Sequence, residues 1–200
     1  MRDAENIRQT NALGIDMMGF IFWPKSSRYV SSRPAYMPQK VKKVGVFVNE
    51  DIETIKQIAE DYALDYIQLH GSESPLEAKE LRDWKVIKAF NIMTSEDLKQ
   101  TEAYEGCVNY FLFDTRKPSK EAGGWLPPGG TGEKFDWSVL EAYHGDTPFL
   151  LSGGIGPDDT ERVKAFHHPK CIGIDLNSRF EIEPGLKDIN KLKQFIENIK

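Results

Sequence analysis

Apolar residues along this chain fall into two alternating kinds of run. One kind is short and almost continuous, as in Met17 to Trp23, which is too short for a helix and predicts a strand buried on both faces. The other spaces its apolar positions three and four apart behind a capping residue. Asp3 followed by Ile7, Ala12 and Leu13, stopped by Gly14, is the first example. The series therefore opens with a helix, and Gly14 and Asp16 mark the turn into the first strand. The same alternation predicts strands at Val44 to Val48, Tyr66 to Leu69, Val86 to Phe90, Tyr110 to Phe113, Phe149 to Leu151 and Cys171 to Leu176. It predicts helices at Ile52 to Tyr62, Leu76 to Arg82, Ser95 to Tyr104, Trp137 to Tyr143, Asp158 to Phe166 and Lys187 to Ile199. Pro34 and Pro38 limit any helix after Arg28 to a short or irregular one.

A period of about 20 to 25 residues is that of repeated βα units. The count gives seven strands and eight helical slots, with a helix first, whereas a closed parallel barrel has eight of each and begins with a strand. The expected fold is α/β, a TIM-type (β/α)8 barrel lacking its first strand in this chain, built as one domain over residues 1–200. An open doubly wound sheet is the competitor, but its glycine fingerprint after the first strand is absent. Two hundred residues is at the short end for such a barrel, and 40% hydrophobic with 28% charged residues suffices for a packed core.

Charge narrows the partners. Lys and Arg number 26 against 31 Asp and Glu, a net charge of −5, with no basic cluster to follow a nucleic-acid backbone. A small phosphate remains compatible, because local backbone N–H groups bind it regardless of net charge. Cys107 and Cys171 are too few for a disulfide framework and lack zinc-site spacing, which fits a reducing cytoplasm and leaves no structural metal expected. The first residues form no apolar signal region, and no run approaches the ~18 apolar residues of a bilayer span. A cytoplasmic protein without a membrane partner is expected; oligomeric state is left open.

In a parallel barrel the chemistry gathers where the strands end. Leu151-Ser152-Gly153-Gly154-Ile155-Gly156-Pro157-Asp158 runs from a strand through a glycine turn into a helix start, either a tight turn or a phosphate site made by backbone N–H groups. Asp175-Leu176-Asn177-Ser178 follows the next strand, and barrels commonly hold phosphate in these last two loops. The connection from Thr115 to Glu133 is the longest and glycine-rich, which reads as a lid or as a surface excursion. Asp114 ends an apolar run, so its carboxyl is expected in a partly desolvated mouth that raises its pKa and suits a general acid; a turn or capping aspartate is the plainer reading. Arg28 has the geometry to pair with a substrate carboxylate or stays a surface arginine. His70 reads as a hydrogen-bonded structural residue before a base, Lys88 as a paired structural lysine, and His167-His168 as a helix C-cap.

Read in order, these segments resemble the phosphoribosylanthranilate isomerase family of tryptophan biosynthesis. The matching pieces are Met18-Gly19-Phe20-Ile21-Phe22 with Ser27-Arg28-Tyr29-Val30, Lys43-Val44-Gly45-Val46-Phe47-Val48-Asn49, and Ile67-Gln68-Leu69-His70-Gly71. They continue with Phe113-Asp114, Gly129-Gly130-Thr131-Gly132, Phe135-Asp136-Trp137, Ser152-Gly153-Gly154, Gly173-Ile174-Asp175 with Asn177-Ser178, and Gly185-Leu186-Lys187-Asp188. The resemblance implies a cofactor-free Amadori rearrangement of N-(5-phosphoribosyl)anthranilate into the 1-deoxyribulose 5-phosphate ketose. It implies Asp114 as the acid, Arg28, Gln68, His70 and Gly130 as substrate-binding residues, and Gly153, Gly154, Asp175, Asn177 and Ser178 around the phosphate. It also implies a cysteine base at the end of a first strand, in a pattern whose last residue falls on Met1. The expectation is thus that strand and base are both missing here, and that Cys107 and Cys171, near the barrel bottom, do not replace it. Ser27 and Arg179 depart from the family's frequent proline and glycine. The remaining alternatives are a non-catalytic sugar-phosphate binder and a barrel isomerase for another sugar phosphate.

Overall fold

The computed structural model describes residues 1–115 and 136–200. Among them, seven parallel strands lie side by side in chain order: β1 (Met17–Ile21), β2 (Lys42–Phe47), β3 (Tyr66–Leu69), β4 (Lys85–Asn91), β5 (Tyr110–Asp114), β6 (Phe149–Ser152) and β7 (Cys171–Ile174). The strand count and the parallel order agree with the sequence-based expectation. Strand alternation sorts side chains onto two faces. Val44, Tyr66, Ile87, Ala89 and Leu112 form the inner cluster with Met17, Tyr110 and Leu150, while Phe20, Phe47, Ile67, Phe111, Phe113 and Phe149 pack beneath the helices.

The α-helices are α1 (Ala4–Asn11), α2 (Ile52–Asp61), α3 (Pro75–Glu80), α4 (Thr160–Ala165) and α5 (Ile189–Ile199). Their starts follow the capping chemistry: Asp3, Asp51, Ser74 and Asp188 accept from the N–H groups of Asn6, Thr54, Glu77 and Lys191. Each such cap contributes about 1 kcal/mol.

Several sequence-based elements differ in kind. Ser95–Tyr104 and Trp137–Ala142 are 3-10 helices, and their buried residues, Leu98 with Thr101 and Trp137 with Leu140, are three apart. That spacing stacks on a three-residue turn and leaves no fourth position to hold an α-helical stripe. The expected helix from Asp158 is a 3-10 turn, Pro157–Asp159, followed by the short α4. The last helix starts at Ile189 because Leu186–Lys187 (β9) pairs antiparallel with Glu181–Glu183 (β8). His168 is not a C-cap: its ring bonds the Tyr143 carbonyl and the Lys170 N–H. After Arg28 no helix forms, and Tyr29 instead bridges to Ile21.

The β8–β9 hairpin is fastened to the start of the chain. The Asn6 amide donates to the Lys187 carbonyl at 2.8 Å and accepts from the Lys187 N–H at 2.8 Å, while Arg2 donates to Ser27 and Pro184 carbonyls. These bonds bring the segment after β1 against the hairpin after β7.

Candidate active site

Strand register lines up the polar strand ends. Asn91 pairs with Asp114, and Asp114 with Ser152, whose hydroxyl donates to Asp175 Oδ2 at 2.9 Å. Gln68 and His70 continue the ring on β3, joined by a 3.0 Å contact between Gln68 Nε2 and His70 Nδ1. Asp114 is buried at the end of β5. Thr115, fully buried beside it, donates through its hydroxyl to the Ser152 carbonyl at 3.0 Å and locks β5 to β6.

The Gly153-Gly154 turn is closely fitted to that acid. Gly153 has φ +102°, and a Cβ there would stand 2.9 Å from Asp114 Oδ1, 2.6 Å from Thr115 Oγ1 and closer still to the Thr115 nitrogen. Gly154 also has a positive φ, of 69°. Successive glycines in these conformations turn their N–H groups outward together. Among the described residues, the Gly153 and Gly154 N–H groups donate to nothing within the protein. Only a 3-10 turn and a short helix stand behind them, so little helix dipole adds to the field of these N–H groups.

Arg28 follows β1. Its Nε donates to Glu181 Oε1 and Oε2 at 3.0 and 2.8 Å, and its Nη2 to Oε2 at 2.5 Å. One edge of the guanidinium is therefore occupied, while among the described residues Nη1 takes no protein partner. Glu181 also meets Lys187 at 3.4 Å, and Lys187 Nζ donates to the Asn177 carbonyl at 3.0 Å and to Asn177 Oδ1 at 2.9 Å. Burial pushes the Lys187 pKa down, against the opposing pull of Glu181 and Asp175.

Burial works to raise the Glu181 carboxyl, yet the Arg28 hydrogen bonds, the two cations and the Gly185 N–H outweigh it and hold its pKa below the usual 4.5. A folded value below the unfolded one adds stability that is complete above pH 4.5 and is lost as pH falls through the folded value. The stability gap between wild type and Glu181→Gln, measured by urea unfolding, should therefore narrow below pH 4.5; a gap constant with pH would contradict this.

The sequence-predicted residues thus form three groups: Gln68 with His70; Asp114, Ser152, Gly153 and Asp175; and Arg28 near Asn177 through Glu181 and Lys187. Gly130 and most of the expected lid lie outside the described residues. Glu181, Lys187 and Thr115 were not singled out by sequence. The alternation Phe180-Glu181-Ile182-Glu183 was a strand signal, but with inverted burial: Glu181 is covered while Ile182 is 70% exposed. Cys171 begins β7, and burial raises its thiol pKa. Cys107 borders a cavity of about 580 Å³ lined by Asp65, Trp84, Lys85 and Asn109, at the opposite end of the strands. Among the described residues, no cluster of three His, Cys, Asp or Glu could hold a metal ion, and no helix is long and apolar enough to cross a membrane.

A parallel barrel whose strand ends carry a buried carboxyl, an arginine with an open edge and a paired-glycine turn belongs among the small-molecule barrel enzymes. Comparison with known proteins specifies which. The family model described as N-(5'phosphoribosyl)anthranilate (PRA) isomerase matches residues 1–198. The N-(5'-phosphoribosyl)anthranilate isomerase of Parabacteroides distasonis is 52% identical, covering 100% of this chain and 90% of that protein. That of Phocaeicola vulgatus is 46% identical over 100% and 95%. The crystal structure of phosphoribosyl anthranilate isomerase from Thermotoga maritima superposes with a TM-score of 0.82 at 30% identity, covering 100% of this chain and 95% of that one. A phosphoribosyl anthranilate isomerase in complex with reduced 1-(O-carboxyphenylamino)-1-deoxyribulose 5-phosphate gives a TM-score of 0.76 at 28% identity, covering 100% and 98%. The chain belongs to the N-(5'-phosphoribosyl)anthranilate isomerase family.

Proposed function

We propose that Asp114 is the general acid of this isomerase, that Arg28 receives the anthranilate carboxylate, and that Gly153, Gly154, Asn177 and Ser178 hold the phosphate. The observation that carries this reading is the seating of the Asp114 carboxyl against Gly153, which puts an acid beside the N–H groups suited to an anion. Asp175 shapes the loop rather than meeting the phosphate, since its carboxylate accepts from Ser152 and its N–H donates to the Leu151 carbonyl at 2.8 Å. Gln68 and His70 flank the sugar, and Gly130 joins them from the long loop. One domain over residues 1–200 fits the family match.

The reaction converts N-(5-phosphoribosyl)anthranilate into 1-(2-carboxyphenylamino)-1-deoxyribulose 5-phosphate. The Asp114 carboxyl gives its proton to the furanose ring oxygen as the C1–O bond breaks and the nitrogen lone pair forms an imine. Removal of the C2 proton by a base moves those electrons to nitrogen, and the resulting enol tautomerises to the ketose. By family resemblance the base is a cysteine. Cys107 and Cys171 are both placed away from the strand ends that carry Asp114.

Titration of the 200-residue chain with the reduced product analogue, with inorganic phosphate as competitor, tests the reading. Saturable binding displaced by phosphate is expected. Gly153→Ala should weaken it by about a hundredfold, since a Cβ would displace Thr115 and Asp114 and disturb the N–H groups. Binding indifferent to phosphate would reject the site.

A further inference from the structure

Arg28 does not reach its place unaided. It sits in a turn held by its N–H on Ser26 Oγ at 3.1 Å, and its side chain is 7% exposed, with no covalent reason to point one way. Glu181, 4% exposed, takes the edge of the guanidinium formed by Nε and Nη2. A guanidinium has two edges able to form paired bonds with a carboxylate, this one and the Nη1–Nη2 edge. With the first filled by the protein's own carboxylate, the second is left for the substrate. Without Glu181, both edges and all side-chain rotamers would compete.

Glu181 is itself fixed from three other directions. Gly185 donates its N–H to Oε1 at 3.1 Å, Lys187 approaches the same oxygen at 3.4 Å, and the β8–β9 pairing sets the backbone. Lys187 meanwhile bonds Asn177, so one buried carboxylate stands between the arginine and a phosphate loop.

We infer that Glu181 is a positioning residue for substrate recognition: it binds one edge of Arg28 so that the other faces the carboxylate on the substrate's aromatic ring. The inference rests on the reading of Arg28 given above. Its consequence is selective, because a positioning defect at Arg28 weakens only ligands that carry that carboxylate.

The test compares dissociation constants for two ligands, the reduced product analogue and the same molecule with an unsubstituted phenyl ring. Their ratio measures recognition of the carboxylate and is insensitive to a general loosening of the site. Glu181→Gln keeps the volume and one acceptor but frees the guanidinium from a charged partner. It should cut the wild-type preference for the carboxylated ligand by about tenfold and leave the phenyl ligand within about twofold. Lys187→Met should weaken both ligands together, through Asn177, and preserve the ratio. If Glu181→Gln does not fold because Lys187 is left unpaired, the double variant Glu181→Gln/Lys187→Met removes that stranded charge, and the same collapse of the ratio is expected there. An unchanged ratio in the folded single or double variant overturns the inference, as does equal weakening of both ligands. Arg28→Ala separates the two levels. If it collapses the ratio while the Glu181 variants do not, only the inference fails; if it too leaves the ratio intact, the carboxylate role of Arg28 fails with it.

Discussion

Removing the Glu73 carboxylate by Glu73→Gln should destabilise the protein by about 3–5 kcal/mol, the range for breaking one partner of a buried ion pair. Glu73 and Lys88 are each 2% exposed, with Nζ and Oε2 at 3.1 Å. Lys88 also donates to the Gly71 carbonyl at 2.6 Å, and Glu73 accepts from the N–H groups of Asn49 at 2.8 Å and of Gly71 at 3.0 Å. Burial pushes the Lys88 pKa down, and the nearby carboxylate pushes it back up. Taking away the Glu73 charge leaves that desolvation uncompensated and puts an amide NH2 where Oε2 faced Lys88, while the oxygen that stays keeps accepting from Asn49 and Gly71. Lys88→Met should cost less, because the Glu73 carboxylate keeps its backbone donors. The double variant Glu73→Gln/Lys88→Met should recover part of the loss, since it keeps an acceptor for the Asn49 and Gly71 N–H groups and leaves no charge to desolvate. Chemical denaturation of the three variants decides: a single-variant loss under about 1 kcal/mol would place this pair with the surface pairs that contribute little. Because Gly71 adjoins His70, the weakened variants should also bind the product analogue less tightly, in proportion to their disorder at that turn.

Most of the fold was legible because strands buried on both faces write themselves as uninterrupted apolar runs. Tyr66–Leu69 was read to the residue, and the other strands to within a few positions. Helix type was harder to read. Ser95–Tyr104 and Trp137–Ala142 have only one buried pair each, and a single pair three apart is compatible with α and 3-10 geometry alike. The β8–β9 hairpin was missed because its burial is set by charge pairing. Glu181 is inside on account of Arg28 and Lys187, distant in sequence or folded back upon it, while Ile182 is outside. In the site, Asp114 and the glycine turn were readable, since a carboxyl or paired glycines directly after an apolar run can occupy only the strand end. The partners that orient the functional groups left no such local mark. Lys187 looked like the first residue of a helix, and Thr115 like the first residue of a long loop.

Asp114→Asn should abolish most turnover while leaving binding in place. The substitution is close to isosteric, and the backbone of Asp114 is held independently of its side chain: its carbonyl accepts from Ile92 N–H at 2.9 Å, and its strand is in register on both sides. An amide can donate a hydrogen bond to the furanose oxygen but has no acidic proton to transfer as the C1–O bond breaks. Positioned general acids contribute about 10²- to 10⁴-fold, and a loss of that size is expected in kcat, with the product-analogue Kd changing by no more than about threefold. Turnover and product-analogue binding are measured side by side on Asp114→Asn and its parent. Equal turnover by Asp114→Asn and its parent would exclude Asp114 as the acid. A parallel loss of binding and turnover would instead assign its carboxyl to holding Gly153 and Thr115 in place, against which it packs.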